Sequence, residues 1–288
     1  MKSSVPFAMI LLLVSILSAP GSPVNASGLN PPPHPESATF FCKSGREFPP
    51  VFDWRALGGV TPVKDQGFVD CYPCWAFCLI AAVESSVAIE SGRMLDLSEQ
   101  QLLDCNQEGY GCDGGWLDGW TILRDFGAVE ESCYPYIGRD QACAQSVCTP
   151  VARVTGCEIA GNGIDDIKAA VMDHAPVACG MTVYTDFSFY SGGCYSHAGT
   201  EPMNHGVVIV GWDDTACDGA GAWIVKNSFG PEWGEDGFIM MEYGTCRIGA
   251  GARYFDVEMI DPVTPTPSPT PEDLTYTLTL DDTLLVPG

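Results

Sequence analysis

The amino-acid sequence predicts an α+β fold with two lobes, because helical patterns come first along the chain and strand patterns follow. Residues 74–92 are rich in Ala, Leu and Glu and end at Gly92, which is typical of a helix C-cap. Residues 98–101 (SEQQ) form a capping-box pattern that opens a second helix. Glycine-bounded runs of β-branched and aromatic residues predict strands at 207–212, 222–225 and 237–241.

Two more helices are predicted before the strands begin. One covers residues 118–126, and the other covers the amphipathic stretch 164–174, which stops before Pro176. The order of these elements therefore places a helical lobe first and a sheet-rich lobe second.

The N-terminus carries the pattern of a signal peptide. Lys2 precedes an apolar run at 7–17, which is too short to span a bilayer with margin, and small residues at 24–26 fit a cleavage site before Ser27. A retained signal anchor is the alternative, which the helix breakers at 20–23 disfavour. The predicted segments are a signal peptide (1–26), a Pro-rich arm (27–49), a folded domain (50–262), a Pro/Thr-rich linker (263–272) and a tail of unknown role (273–288).

Charge and cysteine content limit the classes of function. Acidic residues outnumber basic ones by 37 to 13, and the formal charge of -24 repels nucleic acid and anionic membranes. A nucleic-acid role is excluded, and no stretch after the signal is expected to cross a membrane. The 14 cysteines fit an oxidising compartment. The protein is therefore predicted to be secreted or extracellular, with cell-surface association as an alternative.

Residues 71–74 form a lone C-x-x-C motif that carries the chemistry of the site. No second cysteine or histidine pair follows at zinc spacing, and the βαβ pattern of a thioredoxin-like redox site is absent. Pro73 favours a helix that starts at Cys74, where unpaired amides and the helix dipole stabilise a thiolate. Because the thiolate is the nucleophilic form of cysteine, Cys74 is a candidate nucleophile.

Motifs along residues 51–256 resemble those of the papain family of cysteine proteases, which includes the cathepsins. In chain order they are FDWR (52–55), VTPVKDQG (60–67), CWAF (74–77), LSEQ (97–100), GCDGG (111–115), YPY (134–136), NHGV (204–207), WIVKNS (223–228) and EWG (232–234). The resemblance implies a papain-like fold, in which a helical N-terminal lobe faces an antiparallel, β-barrel-like C-terminal lobe across an active-site cleft.

The resemblance assigns catalytic roles position by position. Cys74 matches the nucleophile, His205 the base, Asn227 the residue that orients the base, and Gln66 the side-chain donor of the oxyanion hole. His205 and Asn227 lie 131 and 153 residues after Cys74, close to the spacing of about 130–150 known for the family. The implied mechanism uses a thiolate–imidazolium pair and a thioester, with bell-shaped pH dependence and no metal or cofactor.

The resemblance also implies a substrate cleft. Gly114 and Gly115 match the backbone that pairs with an extended peptide. The main specificity pocket is matched by Trp116, Leu117, Val183, Gly206 and Gly251. Because these residues are apolar, a preference for a bulky apolar residue second before the scissile bond is predicted. Family segments associated with exopeptidase action, such as an occluding loop, are not visible, so the predicted enzyme is an endopeptidase that acts on proteins or peptides as a monomer. Core packing is the alternative role for Trp116 and Leu117.

The chain departs from the family pattern near the site. Tyr72 and Pro73 replace Gly and Ser, two extra residues lie between Gln66 and Cys74, and Phe229 replaces a Trp that covers the Asn–His hydrogen bond. A long inhibitory pro-region is not apparent before the DWR motif at 53–55. The alternatives are that the enzyme is active on export or that the short arm or another protein restrains it.

For disulfides, the resemblance implies Cys71–Cys112 and Cys105–Cys143, and a Cys194–Cys246 pair fits less well. Excluding Cys74 leaves thirteen cysteines, an odd number, so at least one more is free or intermolecular. The sequence does not assign the other seven, which are Cys42, Cys78, Cys133, Cys148, Cys157, Cys179 and Cys217.

Three other functions remain open at this point. The scaffold could serve as an inactive binding or display protein on its Pro-rich stalk, or as a transpeptidase that uses the same site. A thiol–disulfide oxidoreductase that cycles Cys71 and Cys74 is the third, and a Cys71–Cys112 bond would argue against it.

Overall fold

The computed structural model describes residues 29–30, 46–67 and 70–260. The predicted signal peptide, most of the Pro-rich arm, the linker and the C-terminal tail lie outside the described residues. The folded domain begins near Phe48, and its last strand ends at Met259.

The long helix α1 (Cys74–Ser91) forms the centre of the first lobe. It begins directly after Pro73, and Gly92 closes it in the left-handed conformation (φ 72°), where glycine carries no Cβ penalty. Within the described residues α1 is also the helix long and apolar enough to span a membrane, contrary to the expectation that no such stretch follows the signal. In the structure 78% of it is buried, as in the core helix of a folded domain.

Three shorter helices accompany α1. They are α2 (Glu99–Cys105), α3 (Thr121–Asp125) and α4 (Ile164–Asp173). The Ser98 side chain accepts a hydrogen bond from the Gln101 amide, which is the expected N-cap of α2. The third helix is shorter than predicted, because the turn residues 118–120 precede it instead of belonging to it.

The second lobe is built on one eight-stranded sheet. Its strands are β1 (Val51–Asp53), β2 (Ala152–Ile159), β3 (Val177–Met181), β4 (Cys194–Tyr195), β5 (His205–Asp213), β6 (Ala222–Lys226), β7 (Phe238–Glu242) and β8 (Ala250–Met259). The order is β2-β8-β3-β5-β6-β7-β4, with β1 paired to β5. All pairings are antiparallel except β4 with β7.

The α+β class and the two-lobed papain-like arrangement are confirmed, but the expected closure of the sheet is not. Strands β2 and β4 stand at opposite ends of the sheet and do not pair with each other, so the sheet is open and not barrel-like. Helix α1 packs against β5 and β8. This packing places the start of the helix beside the start of β5, where the site lies.

The disulfides agree with the sequence in two cases and correct it in one. The structure contains Cys71–Cys112 and Cys105–Cys143, and it adds Cys133–Cys148. The Cys194–Cys246 pairing is wrong, since Cys194 bonds to Cys217. Cys246 stays free and buried, and its thiol lies 3.7 Å from the carbonyl oxygen of His197.

Candidate active site

Cys74 lies at the first position of α1 with a free thiol and only 2% exposure. The backbone of Gly206 lies against Cys74, since an added Cβ there would be 3.1 Å from the Cys74 carbonyl oxygen. The backbone amides of Gly206, Trp75 and Cys74 lower the pKa of the thiol. These are the unpaired amides that a helix start offers, together with one from β5. The last of them comes from the residue directly after His205, so the nucleophile candidate and the base candidate share one location.

His205 opens β5 and is held by Asn227, which directly follows β6. The His205 Nε2 lies 2.8 Å from Asn227 Oδ1, so Nε2 carries the proton of this hydrogen bond and Nδ1 is left for the sulfur. Phe229 covers the pair, with its ring centroid 4.9 Å from that of the imidazole. The histidine is 1% exposed, so the smaller Phe still excludes water from this bond.

Burial dominates the electrostatics of both groups. It raises the pKa of the Cys74 thiol to about 12, although the three amides lower it in part. It lowers the pKa of His205 to about 4, although Asn227 raises it in part. Burial therefore disfavours a thiolate alone on Cys74 and an imidazolium alone on His205. Transfer of the proton from the thiol to the imidazole would instead create both charges together, and their mutual attraction would offset part of this cost.

Gln66 is positioned beside this pair by a neighbour of Asn227. The Ser228 hydroxyl donates to the side-chain Oε1 of Gln66 over 2.6 Å. The backbone amide of Gln66 donates to the backbone carbonyl of Ser228 over 2.9 Å. Because Oε1 is occupied, the Nε2 group of Gln66 is the end left to bind an oxyanion. Sequence reasoning missed Ser228, although it lies within the WIVKNS motif.

Gly114 and Gly115, the residues predicted to pair with a peptide, lie beside the helix of Cys74. A Cβ on Gly115 would lie 2.6 Å from the Trp75 ring, so a larger residue would displace this ring. The arm already pairs here: Leu29 forms a parallel bridge with Gly115, and the Asn30 amide donates to the Gly115 carbonyl over 2.7 Å. The predicted peptide-binding backbone thus holds a segment of the protein itself.

Leu29 is 2% exposed and belongs to the same hydrophobic cluster as Trp116 and Leu117. Gly251 lies next to both Trp116 and Leu117, since a Cβ on Gly251 would be 3.5 Å from the first and 3.7 Å from the second. Trp116, Leu117 and Gly251, three of the residues predicted to form the specificity pocket, therefore lie close together.

Two neighbours of this cluster were missed by sequence reasoning. A Cβ on Gly180 would lie 2.9 Å from Leu29 and 3.1 Å from the sulfur of Met203, so Gly180 contacts both side chains. The neighbouring glycine, Gly206, packs against α1, where a Cβ would lie 2.7 Å from the Cys78 sulfur. Val183 lies in the separate core cluster of the second lobe.

The partner of Cys71 bears on the redox alternative. Cys71 is bonded to Cys112, and Cys74 is free. A dithiol site needs both sulfurs of the C-x-x-C motif, so this arrangement favours a single nucleophilic thiol.

A helix-borne thiol, a histidine–asparagine pair from the opposing sheet and a glutamine amide are the parts of a thiol-protease site. The chain belongs to the papain family of cysteine proteases, whose profile matches residues 48–255.

Three known proteins illustrate the similarity. The senescence-specific cysteine protease SAG12 of Arabidopsis thaliana is 36% identical over 221 residues, covering 73% of this chain and 63% of its own length. The proform of the ragweed pollen cysteine protease Amb a 11 matches with a TM-score of 0.68 and 36% identity, covering 76% and 69% of the two chains. Bromelain from Ananas comosus, solved with the E64 inhibitor, matches with a TM-score of 0.67 and 34% identity, covering 72% and 99%. The chain spans about 63% of the length of such curated relatives.

Proposed function

We propose that this protein is a secreted cysteine endopeptidase that hydrolyses peptide bonds through a thioester on Cys74. One observation carries the proposal. The backbone of Gly206 lies against Cys74, and the residue before Gly206 is a buried histidine held by Asn227. A thiol, a base and an orienting group in this order are what nucleophilic catalysis requires.

The proposed mechanism uses only groups of this chain. The Cys74 proton moves to His205 Nδ1, and the sulfur attacks the peptide carbonyl to form a C–S bond. The amide of Cys74 and Nε2 of Gln66 stabilise the oxyanion. His205 then gives its proton to the departing amine as the C–N bond breaks. Water attacks the thioester, its proton passes through His205 to the sulfur, and the acid is released.

The apolar pocket supports a preference for a bulky apolar residue second before the scissile bond. Leu29 packs against Gly180 and shares a buried apolar cluster with Trp116 and Leu117, which is the environment that a bulky apolar substrate side chain would need. We expect Gly180→Val to fill the space that a leucine needs. The ratio of kcat/KM for matched peptides with Leu and Ala at that position should fall at least about tenfold, since one to two methylene groups are worth about 1–3 kcal/mol. An unchanged ratio would place the specificity pocket elsewhere.

The arm supports a proposal about restraint of the enzyme. Because the Leu29 side chain and the Asn30 backbone use the cleft that a substrate needs, the arm competes with substrate until it leaves or is cut. Burying a leucine is worth about 1.5–3 kcal/mol, which corresponds to about ten- to a hundredfold in occupancy of the cleft.

We therefore expect Leu29→Glu to raise the initial rate at low substrate concentration by at least about tenfold. Rates are compared on chains whose intact mass shows the arm still attached. Leu57→Glu, at a leucine that is 62% exposed, is the matched control and should leave the rate unchanged. If the two variants have equal rates, the arm does not restrain the enzyme.

Secretion is part of the proposal and is supported by the signal-peptide pattern at residues 1–26 and by the four disulfides of the described residues. N-terminal sequencing of the protein recovered from culture medium tests it, with a start near Ser27 as the expected result.

A further inference from the structure

The last residue of β6, Lys226, and the two residues that follow it, Asn227 and Ser228, do not all contact the same lobe. Asn227 turns toward His205, whereas its neighbours Lys226 and Ser228 turn the other way and contact the segment 61–66, which precedes α1. Alternation of this kind is expected where extended backbone sends successive side chains to opposite faces. The orienting asparagine thus stands between two side chains that are anchored to the other lobe.

Of the two side chains that contact the other lobe, Lys226 is more deeply buried than Ser228. Lys226 is 3% exposed, and its Nζ donates to Thr61 Oγ1 over 3.0 Å. The Thr61 hydroxyl in turn donates to Glu84 Oε2 over 2.6 Å. Glu84 is fully buried on α1, the helix whose first residue is Cys74. A short chain of hydrogen bonds therefore joins the residue before Asn227 to the helix of the nucleophile.

Glu84 is itself fixed by further charges. Its Oε1 accepts the Leu97 amide and lies 2.8 Å from Lys64 Nζ, which also contacts Glu99 over 3.0 Å. Burial lowers the pKa of Lys226 to about 8, while the facing carboxylates Glu84 and Glu99 raise it in part and Lys64 lowers it further. Since a buried charge is costly unless it is paired, this set holds one preferred arrangement.

Asn227 needs such support, because its own side chain makes only one hydrogen bond within the described residues. Its Oδ1 binds His205, but its Nδ2 is buried and makes no hydrogen bond within the described residues. The position of the amide therefore depends on the backbone, which donates to the Gly237 carbonyl over 3.0 Å, and on the anchored neighbours.

Resting on the proposed function, we infer that Lys226 is a positioning residue for catalysis: through Thr61 and Glu84 it fixes Asn227, and with it His205, relative to the Cys74 helix. A displacement of about 1 Å at a catalytic group costs up to about a hundredfold in rate. Loss of this link should therefore lower turnover more than it weakens substrate binding.

The test replaces Thr61 with valine, which has nearly the same shape but lacks the hydroxyl. In Thr61→Val we expect kcat to fall about tenfold with KM changed by less than about twofold, because the defect lies in the transition state. Thr61→Ser keeps the hydroxyl and should retain kcat within about twofold. Active sites are counted by titration with an epoxysuccinyl thiol-protease inhibitor, so that only competent molecules enter kcat.

Lys226→Met provides a second measurement with the same expected pattern. A lower melting temperature with wild-type kcat per titrated site, in Thr61→Val or in Lys226→Met, would show a purely structural role and overturn the inference. A raised KM with unchanged kcat would overturn it as well. Lack of activity in the wild-type protein would instead refute the proposed function.

Discussion

Replacing Cys74 with alanine is expected to abolish peptide-bond hydrolysis, with a loss of at least about 10⁴-fold in kcat. The sulfur forms the covalent bond to the substrate, and no neighbouring group can take over that step. The measurement is cleavage of a casein-like substrate by the purified variant. Cys78→Ser, one turn further along α1, is the matched control and should stay active, because serine keeps the small side chain and the hydrogen bond that Cys78 donates to the Trp75 carbonyl. Cleavage that survives in Cys74→Ala would refute the proposed nucleophile.

Replacing His205 with alanine is expected to cost nearly as much, again about 10⁴-fold or more in kcat, since thiol and imidazole work as one unit. Burial raises the pKa of the Cys74 thiol to about 12, so the thiol loses its proton only when a base beside it takes the proton. His174→Ala removes a histidine that stacks on Tyr254 at the end of α4 and serves as the control. A His205→Ala enzyme that keeps more than about a tenth of wild-type kcat would contradict the assigned base.

Local chemistry explains which parts of the fold were predicted. Helix α1 followed from its composition and from Gly92, and the start of α2 followed from Ser98, because caps are set by residues next to each other in sequence. Strands β5, β6 and β7 followed from their apolar runs. Strands β2 and β8 were missed, since glycine and charged residues interrupt both, and their pairing is decided by contacts about 100 residues apart.

The residues of the site also separate into those that local motifs predict and those that only the tertiary structure reveals. Cys74, His205, Asn227 and Gln66 were chosen from motifs, and the structure brings Cys74 next to Gly206 and His205 next to Asn227. Partners that depend on tertiary approach were missed: Gly180 beside Leu29 and Met203, and Cys217 for Cys194. The effect of burial on each single charge was also missed, because the depth of a side chain depends on packing between the two lobes.

The central claim is that one sulfur, at residue 74, performs the chemistry. The most direct measurement treats the purified wild-type protein with an epoxysuccinyl inhibitor, maps the modified residue by peptide mass spectrometry and follows cleavage in the same samples. The account predicts one label per molecule on Cys74, with cleavage lost in proportion to labelling. Label on another cysteine, full labelling of Cys74 with cleavage intact, or Cys74 recovered in a disulfide would contradict it.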